Sequence, residues 1–363
     1  MDIPYKKTEC YKDIVFDENG SRIDLLESQD LINRLGYSSY LLAVYCKNSV
    51  EFLFSRDMTV NSVDSILEIT KFAFESKESR LVGCSIDFKA VQKFDILGAL
   101  LLFKFFEYSI VHNCFLLPST RFSDYVRKKI VEYGFNDLID AYILNSSRKD
   151  PIQNMSVKLT NKFFIAPQPL IRETDFTNNY LKENVLPTLH KYYDSDYKII
   201  SMISTCFSEI SLNFWEHAIE DTQSIMVASG NDKMVEIACA DTGNGIISTL
   251  RECDKYNDLD DIDVFNSCVK RDVTSKENTN HMGFGLWLIN EIVSETKGKL
   301  LICSEGYKFL NEKNEIKVSK TSFWKGTIIY LCLPLKSAKT LTDISVFNEY
   351  VKNQQSQISV NYV

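Results

Sequence analysis

The glycines of this chain are few and unevenly distributed, and this constrains the fold more than any other feature of the sequence. The chain has 13 glycines in 363 residues, about half the roughly 7% usual in soluble proteins. Eight of them lie between residues 230 and 326, and four form the pairs Gly243/Gly245 and Gly283/Gly285. Glycine permits backbone conformations and close approaches that other residues resist. We therefore expect these pairs to mark tight turns or ligand contacts.

Length and composition exclude several classes of protein. At about 150 residues per domain, the length predicts two domains. The composition, with 45% hydrophobic and 25% charged residues, excludes general disorder. The net charge of −8 argues against a protein that covers nucleic acid with its whole surface. The apolar run at 96–103 is far shorter than the about 20 residues of a membrane span.

The cysteines and the N-terminus indicate a cytoplasmic protein. The sequence begins without an apolar secretory segment, and its ten cysteines show no Cys-x-x-Cys spacing. We therefore expect reduced, mostly buried thiols, and no membrane partner.

Prolines mark a connector in the middle of the chain. Four of the seven prolines lie between residues 151 and 187, within a polar stretch. We place there a connector with a partial helix, which divides the chain into predicted segments. The segments are an arm at 1–35, an α/β domain at 36–145, the connector at 146–194, a second domain at 195–336 and a tail at 337–363.

Strands and helices alternate before the connector, which predicts a mixed sheet with helices packed on it. The predicted strands are 40–45, 50–54, 81–88 and 113–117, and the predicted helices are 62–74, 97–108 and 121–133. Over about residues 81–135 the order resembles a STAS domain, the fold of the anti-sigma-factor antagonists. The phosphorylatable form of that family reads Asp-Ser-Ser-Gly, whereas this chain has Asp95, Ile96, Leu97 and Gly98. Since Leu97 has no hydroxyl, we expect regulation by contact rather than phosphorylation, with Asp95 as a helix N-cap.

A long helix is predicted at 199–221, with a buried apolar stripe and a second, polar stripe. Glu209 and Asn213 lie one turn apart on the polar stripe, so their side chains point the same way. A carboxylate and an amide oxygen so placed can orient a water and ligate Mg²⁺, which retains waters and substrate oxygens. A solvated polar face is the alternative interpretation.

A hairpin with strands 225–229 and 234–240 runs directly into Asp241 and the first Gly-x-Gly pair. The carboxylate of Asp241, at a strand end, could accept a hydrogen bond from an adenine amino group. The alternative is a tight turn stabilised by the aspartate side chain.

Residues 247–282 are polar with little periodicity, which predicts a functional lid or a disordered insertion. The segment leads to Gly283, Gly285 and Leu286, where a helix begins. Free N–H groups and the helix dipole at such a start can bind an anion. Strands 299–304 and 326–333 follow.

The order of these features resembles the ATP-binding domain of the GHKL superfamily, which includes gyrase, chaperone, histidine-kinase and mismatch-repair ATPases. The resemblance covers about residues 195–336. It implies a Bergerat fold, an α/β sandwich whose mixed sheet carries helices on one face. With the STAS-like mixed α/β domain, the expected fold class is α+β.

The resemblance implies a Mg-ATP site and a role for each matching residue. Glu209 would be the general base, and Asn213 would ligate Mg²⁺. Asp241 would bind the adenine amino group, while Gly243 and Gly245 would make room for the base and ribose.

The remaining matches concern the phosphates and the second side of the base. Gly283 and Gly285, followed by Leu286, would present N–H groups to the phosphates, and Thr327 would support adenine recognition beside Asp241. Lys276 would reach the γ-phosphate when the lid closes, or remain a solvated lid lysine.

Three functions stay open within this superfamily. A histidine kinase needs an acceptor histidine followed by an acidic residue, whereas His190 precedes Lys191. The about 28 residues after Leu335 are too few for a gyrase-type transducer domain. The remaining hypotheses are an ATPase switch acting on a protein partner, a serine/threonine kinase of the anti-sigma type and a non-catalytic ATP-sensing module. A homodimer is a further expectation, and nucleic acid is not an expected partner.

Overall fold

The computed structural model forms two compact units. One comprises Met1–Met155 together with Thr321–Trp324, and the other comprises Ser156–Lys320 and Lys325–Val363. The residues described are 10–11, 14–16, 22–24, 43–46, 49–54, 56–75, 83–111, 119–135, 138, 163–170, 179–194, 196–218, 224–273 and 285–338.

The N-terminal unit is built on a mixed sheet, which confirms the predicted mixture of strand directions. Its seven strands have the order β3-β2-β1-β4-β5-β7-β9, and a separate parallel pair joins β6 to β8. The pairs β1/β4, β5/β7 and β7/β9 are parallel, and the other pairs are antiparallel. The strands are β1 Cys10–Tyr11, β2 Ile14–Phe16, β3 Arg22–Asp24, β4 Ala43–Cys46, β5 Ser49–Leu53, β6 Asp57–Met58, β7 Gly83–Asp87, β8 Lys93–Phe94 and β9 Ser119–Arg121. The predicted arm at 1–35 thus contributes strands to the sheet.

The helices of this unit follow the apolar patterns of the sequence. They are α1 Val63–Glu75, α2 Ile96–Val111 and α3 Asp124–Glu132, with a short 3-10 turn at Val60–Ser62. Asp95 is the predicted N-cap of α2, since its Oδ1 accepts the Gly98 N–H at 2.8 Å. Leu97 is fully buried in the first turn. The predicted strand at 113–117 lies outside the described residues.

The C-terminal unit contains a seven-stranded sheet of order β10-β11-β12-β16-β13-β14-β15. Its strands are β10 Phe163–Leu170, β11 Ser224–Gly230, β12 Met234–Ala240, β13 Lys299–Ser304, β14 Tyr307–Glu312, β15 Glu315–Lys320 and β16 Thr327–Pro334. Every pairing among these described strands is antiparallel, so the expectation of a mixed sheet is wrong here. The reason is that the chain reverses direction between each pair of neighbouring strands, as a hairpin or a longer return.

Three strands of this sheet were not predicted. The first, β10, lies inside the predicted connector, where Pro167 and Pro169 obscure its pattern. The edge hairpin of β14 and β15 is rich in Lys and Glu, which are depleted in strands. Charged residues on an edge strand oppose pairing with another chain, which explains this composition.

Helices pack on one face of the C-terminal sheet. They are α4 Leu186–Tyr193, α5 Tyr197–His217, α6 Ile246–Leu250, α7 Asp261–Ser267 and α8 Gly285–Thr296, with a π turn at Leu181–Val185 and 3-10 turns at Asp254–Tyr256 and Leu335–Ser337. Phe207 of α5 and Ile289 of α8 share one core with alternate strand residues such as Ile237, Ile302 and Ile329. This alternation places the helices on a single face.

The polar segment at 247–282 is only partly as expected. Residues 246–273 contain α6, a 3-10 turn and α7 rather than irregular chain. Val264 and Phe265 are fully buried, and Tyr256 is nearly so. A few large apolar side chains therefore anchor a segment whose average composition is polar. Residues 274–284, with Lys276 and Gly283, lie outside the described residues.

No helix in the described parts of the chain is both long and apolar enough to cross a membrane. Among the described residues, the free cysteines are Cys206, Cys239, Cys253, Cys268, Cys303 and Cys332. Four of these are buried and two are half-buried. The expectation of free, mostly buried thiols is therefore confirmed for this part of the chain.

Burial should keep two of these thiols unreactive. Burial raises the pKa of Cys268 and of Cys332 to about 12, well above the roughly 8.5 of a free cysteine. At pH 8 we expect both to react with iodoacetamide far more slowly in native protein than in urea, measured by peptide mass spectrometry. Because the folded pKa is the higher one, their contribution to stability is complete below about pH 8.5 and is lost as pH rises towards 12. Equal alkylation rates in native and urea-unfolded protein would contradict this assignment.

Candidate functional site

Helix α5 carries the two predicted catalytic and metal-binding side chains. The helix begins after Asp196, whose carboxylate accepts the N–H groups of Lys198 and Ile199 at 3.2 Å each. Its apolar stripe is buried against the sheet. Glu209 and Asn213 are half-buried beside that stripe, as the spacing predicted.

Glu209, Asn213 and Gly285 lie together in the structure. The amide Nδ2 of Asn213 donates to the carbonyl oxygen of Glu209 at 2.8 Å, one turn earlier on α5. A Cβ on Gly285, the first residue of α8, would lie 2.8 Å from Asn213 Nδ2 and 3.0 Å from Glu209 Oε2. The start of α8 therefore approaches the polar stripe so closely that only a glycine fits without displacing a side chain.

Cys206 lies one turn before Glu209 on α5, and its thiol is expected to be unreactive. Burial raises the pKa of Cys206, and the negative charge of Glu209 raises it further. A protonated, fully buried thiol is a poor nucleophile.

Asp241 is held by the backbone at the end of β12. It is only 1% exposed, and its Oδ1 accepts the Gly243 N–H at 2.7 Å while Oδ2 accepts the Thr327 N–H at 3.1 Å. Its own N–H donates to the Thr327 carbonyl at 3.0 Å. The bond from Gly243 is the one expected of the alternative interpretation, in which the aspartate side chain stabilises a tight turn. An ionised carboxylate offers about four acceptor positions, and the Gly243 and Thr327 N–H groups occupy two of them.

Gly326 is a residue of this site that the sequence reasoning did not select. Its φ is +89°, and a Cβ there would lie 2.3 Å from Asp241 Oδ1. A side chain at this position would be strained and would also collide with the carboxylate. Its position in the sequence could have indicated this role, because Gly326 directly precedes Thr327, a predicted site residue.

The Gly-x-Gly pair after Asp241 packs against protein atoms. A Cβ on Gly243 would lie 3.0 Å from the carbonyl carbon of Ala218, and one on Gly245 would lie 2.3 Å from the Glu305 side chain. The resemblance implied room for the base and ribose at both positions. At Gly245 the Glu305 carboxylate lies where a Cβ would point.

A corner between β13 and β14 ties this loop to the rest of the site. Glu305 Oε2 accepts the N–H groups of Ile247 at 2.7 Å and Ser248 at 3.1 Å, and the Ser248 hydroxyl donates to the other carboxylate oxygen. Ser304 Oγ accepts the Ile246 N–H at 2.9 Å and donates to the Gly326 carbonyl at 2.7 Å. These partners are far apart in sequence and form no local motif, so sequence reasoning missed them.

The remaining selected residues take less direct positions. Leu286 is half-buried and packs against the core. Thr327 is half-buried, and its backbone holds Asp241. No cluster of three or more His, Cys, Asp or Glu side chains that could hold a metal ion occurs among the described residues. A Mg²⁺ site would rely on Asn213 Oδ1 together with waters and phosphate oxygens, a donor set that this cation accepts.

Comparison with known proteins found no family model that matches the chain and no curated protein that matches it.

Gly285→Ala is expected to weaken Mg²⁺-dependent ATP binding about 10-fold without unfolding the protein, because the new methyl group displaces the Asn213 amide from 2.8 Å. Only the end of a side chain has to move, and alanine favours the helix by up to about 1 kcal/mol. Calorimetry with and without Mg²⁺ measures the first effect, and urea unfolding measures the second. Wild-type Mg-ATP affinity in the variant would contradict the predicted binding of phosphates at α8.

Proposed function

We propose that the protein binds Mg-ATP in its C-terminal unit and hydrolyses it as a nucleotide-dependent switch on a protein partner. One observation carries this proposal. Glu209, Asn213 and the N-terminus of α8 converge, with the Gly285 Cβ position 3.0 Å from Glu209 Oε2 and 2.8 Å from Asn213 Nδ2. A carboxylate, an amide and the N-terminus of a helix at one point suit a phosphate with its cation.

The phosphate end of the site would use α8 and Asn213. The helix is 12 residues long, and its first-turn N–H groups have no partner within the helix. Asn213 Oδ1 would hold Mg²⁺, since Nδ2 is already engaged with the Glu209 carbonyl. When bound, Mg²⁺ supplies positive charge that stabilises the negative charge on the phosphate oxygens.

Glu209 would act as the general base. Its carboxylate lies at the start of α8, where it can orient a water and accept its proton. In the kinase alternative the same carboxylate would accept the proton of a partner's serine or threonine hydroxyl.

The adenine end would lie at Asp241. The carboxylate is buried, and the Gly243 and Thr327 N–H groups fix its direction. An amino group is the complementary donor, which suits adenine.

The family assignments belong to the same proposal. The antiparallel sheet with helices on one face is proposed to be a Bergerat-type ATP-binding fold of the GHKL superfamily, and the mixed N-terminal sheet a STAS-like domain. The N-terminal unit would act on its partner, or on a second copy of the chain, by contact, because Leu97 offers no hydroxyl and is fully buried. A cytoplasmic location is part of this proposal.

Incubation of the purified protein with γ-labelled ATP and Mg²⁺, alone and with candidate partner proteins, tests the function. We expect labelled free phosphate from wild type and at least about 100-fold less from Glu209→Gln. Label on a protein would establish the kinase alternative instead. Nucleotide binding without either product would establish a non-catalytic ATP sensor, and no binding would reject the proposal.

A further inference from the structure

Four residues between two strands of the C-terminal sheet belong to the N-terminal unit. They are Thr321–Trp324, which follow β15 and precede β16. The Thr321 hydroxyl donates to Asp64 Oδ1 at 2.7 Å, and the Ser322 hydroxyl donates to the Glu68 carboxylate. Asp64 and Glu68 lie one turn apart on α1, so the two hydroxyls engage one face of that helix.

Aromatic packing holds the end of the segment. Trp324 is fully buried, and its ring lies edge-on to Phe74 of α1 with centroids 5.2 Å apart. Phe323 approaches the same ring at 6.1 Å, and Phe74 in turn packs on Tyr108 of α2 at 4.7 Å. A buried tryptophan in edge-to-face contact restricts the position of the backbone that carries it.

The chain passes from this anchor directly to the Asp241 cluster. Gly326 comes two residues after Trp324, and its Cβ position lies 2.3 Å from Asp241 Oδ1. Thr327 is next, and it exchanges backbone hydrogen bonds with Asp241 through its N–H and its carbonyl. Two residues span at most about 7 Å, so the anchor on α1 lies close along the chain to the Asp241 cluster.

We propose that Thr321–Trp324 is a positioning segment through which the N-terminal unit sets nucleotide affinity at Asp241. The inference rests on the proposed function, since it assumes that Asp241 receives the base. When the segment is seated on α1, the Thr327 N–H holds the carboxylate in its hydrogen-bonded position and Gly326 packs against it. When it is released, this donor loses its fixed place and the carboxylate loses its direction.

Thermodynamic linkage makes the effect reciprocal. If seating of the segment on α1 strengthens ATP binding, then ATP binding must stabilise the seating by the same factor. Nucleotide in the C-terminal unit would therefore protect α1 in the N-terminal unit. This consequence separates a positioning role from a purely structural one.

The test uses full-length wild type and the double variant Thr321→Ala/Ser322→Ala, with Ser319→Ala on β15 as a matched loss of a nearby hydroxyl. Hydrogen exchange is followed with and without Mg-ATP in peptides that cover α1 and α8. In wild type and in Ser319→Ala we expect ATP to slow exchange in both helices. In the double variant we expect slowing in α8 only, and an ATP Kd raised at least about fivefold, the lower end of usual coupling.

The outcomes distinguish this inference from the proposed function. Protection of α8 but not α1 in wild type, or equal protection of α1 and equal Kd in the double variant, would overturn the positioning role and leave ATP binding intact. Absence of ATP binding and of α8 protection in wild type would overturn the proposed function, and this inference with it.

Discussion

Glu209→Gln is expected to lower ATP turnover by about 10²–10⁴-fold while leaving ATP affinity close to wild type. The substitution keeps the size of the side chain beside Gly285 but removes the group that accepts a proton. A general base acts mainly in the transition state, so its loss lowers kcat much more than it weakens binding.

The geometry makes glutamine the informative replacement. The Gly285 Cβ position lies 3.0 Å from Glu209 Oε2, so a residue of similar shape preserves the packing at the start of α8. Glu252→Gln, which neutralises an exposed glutamate after α6, is the matched control. We measure phosphate release for kcat and calorimetry for Kd. Wild-type turnover in Glu209→Gln would show that another group is the base.

The second large effect concerns base selectivity and stability at Asp241. We expect wild type to bind ATP at least about 10-fold more tightly than GTP, because guanine presents a carbonyl oxygen where adenine presents an amino group. That oxygen would face a carboxylate that is 1% exposed. A buried acceptor without a donor costs about 1–3 kcal/mol, and more when it is charged.

Asp241→Asn is expected to reduce both selectivity and stability. The two carboxylate oxygens each accept a backbone N–H, from Gly243 at 2.7 Å and from Thr327 at 3.1 Å. An asparagine amide must turn its NH₂ towards one of these N–H groups. Two donors then face each other, and that hydrogen bond is lost. We expect a loss of about 1–3 kcal/mol in the free energy of unfolding, together with weaker ATP binding.

Urea unfolding and competition binding of ATP against GTP measure these effects. Asp232→Asn in the exposed turn of the β11–β12 hairpin is the control, since it makes the same change of charge away from the site. Equal affinities of wild type for the two nucleotides would reject the adenine role. A destabilised variant with unchanged base preference would show that Asp241 only stabilises the turn.

Local sequence determined the parts of this site that depend on one element. The apolar and polar stripes of α5 follow from a period of 3.6 residues, which also places Glu209 and Asn213 on one face. The β11–β12 hairpin with Asp241 at its end follows from two short apolar runs joined by a Gly-Asn-Asp turn. Such features need only neighbouring residues, so a single sequence contains the information.

Only the tertiary structure decided which distant residues complete the site. Glu305 reaches Ile247 across 58 positions of the chain, and Thr321 reaches Asp64 across 257. Neither pair leaves a period or a motif in the sequence, because each hydrogen bond depends on where the fold brings the two residues and not on their separation along the chain. The strand order also depends on long-range contacts. Strand β16 lies between β12 and β13, although the sequence of each strand alone is compatible with several neighbours. The residue types at the candidate site follow from local pattern, whereas the packing of Gly245 on Glu305 and of Gly326 on Asp241 follows from long-range pairing, which local periodicity cannot specify.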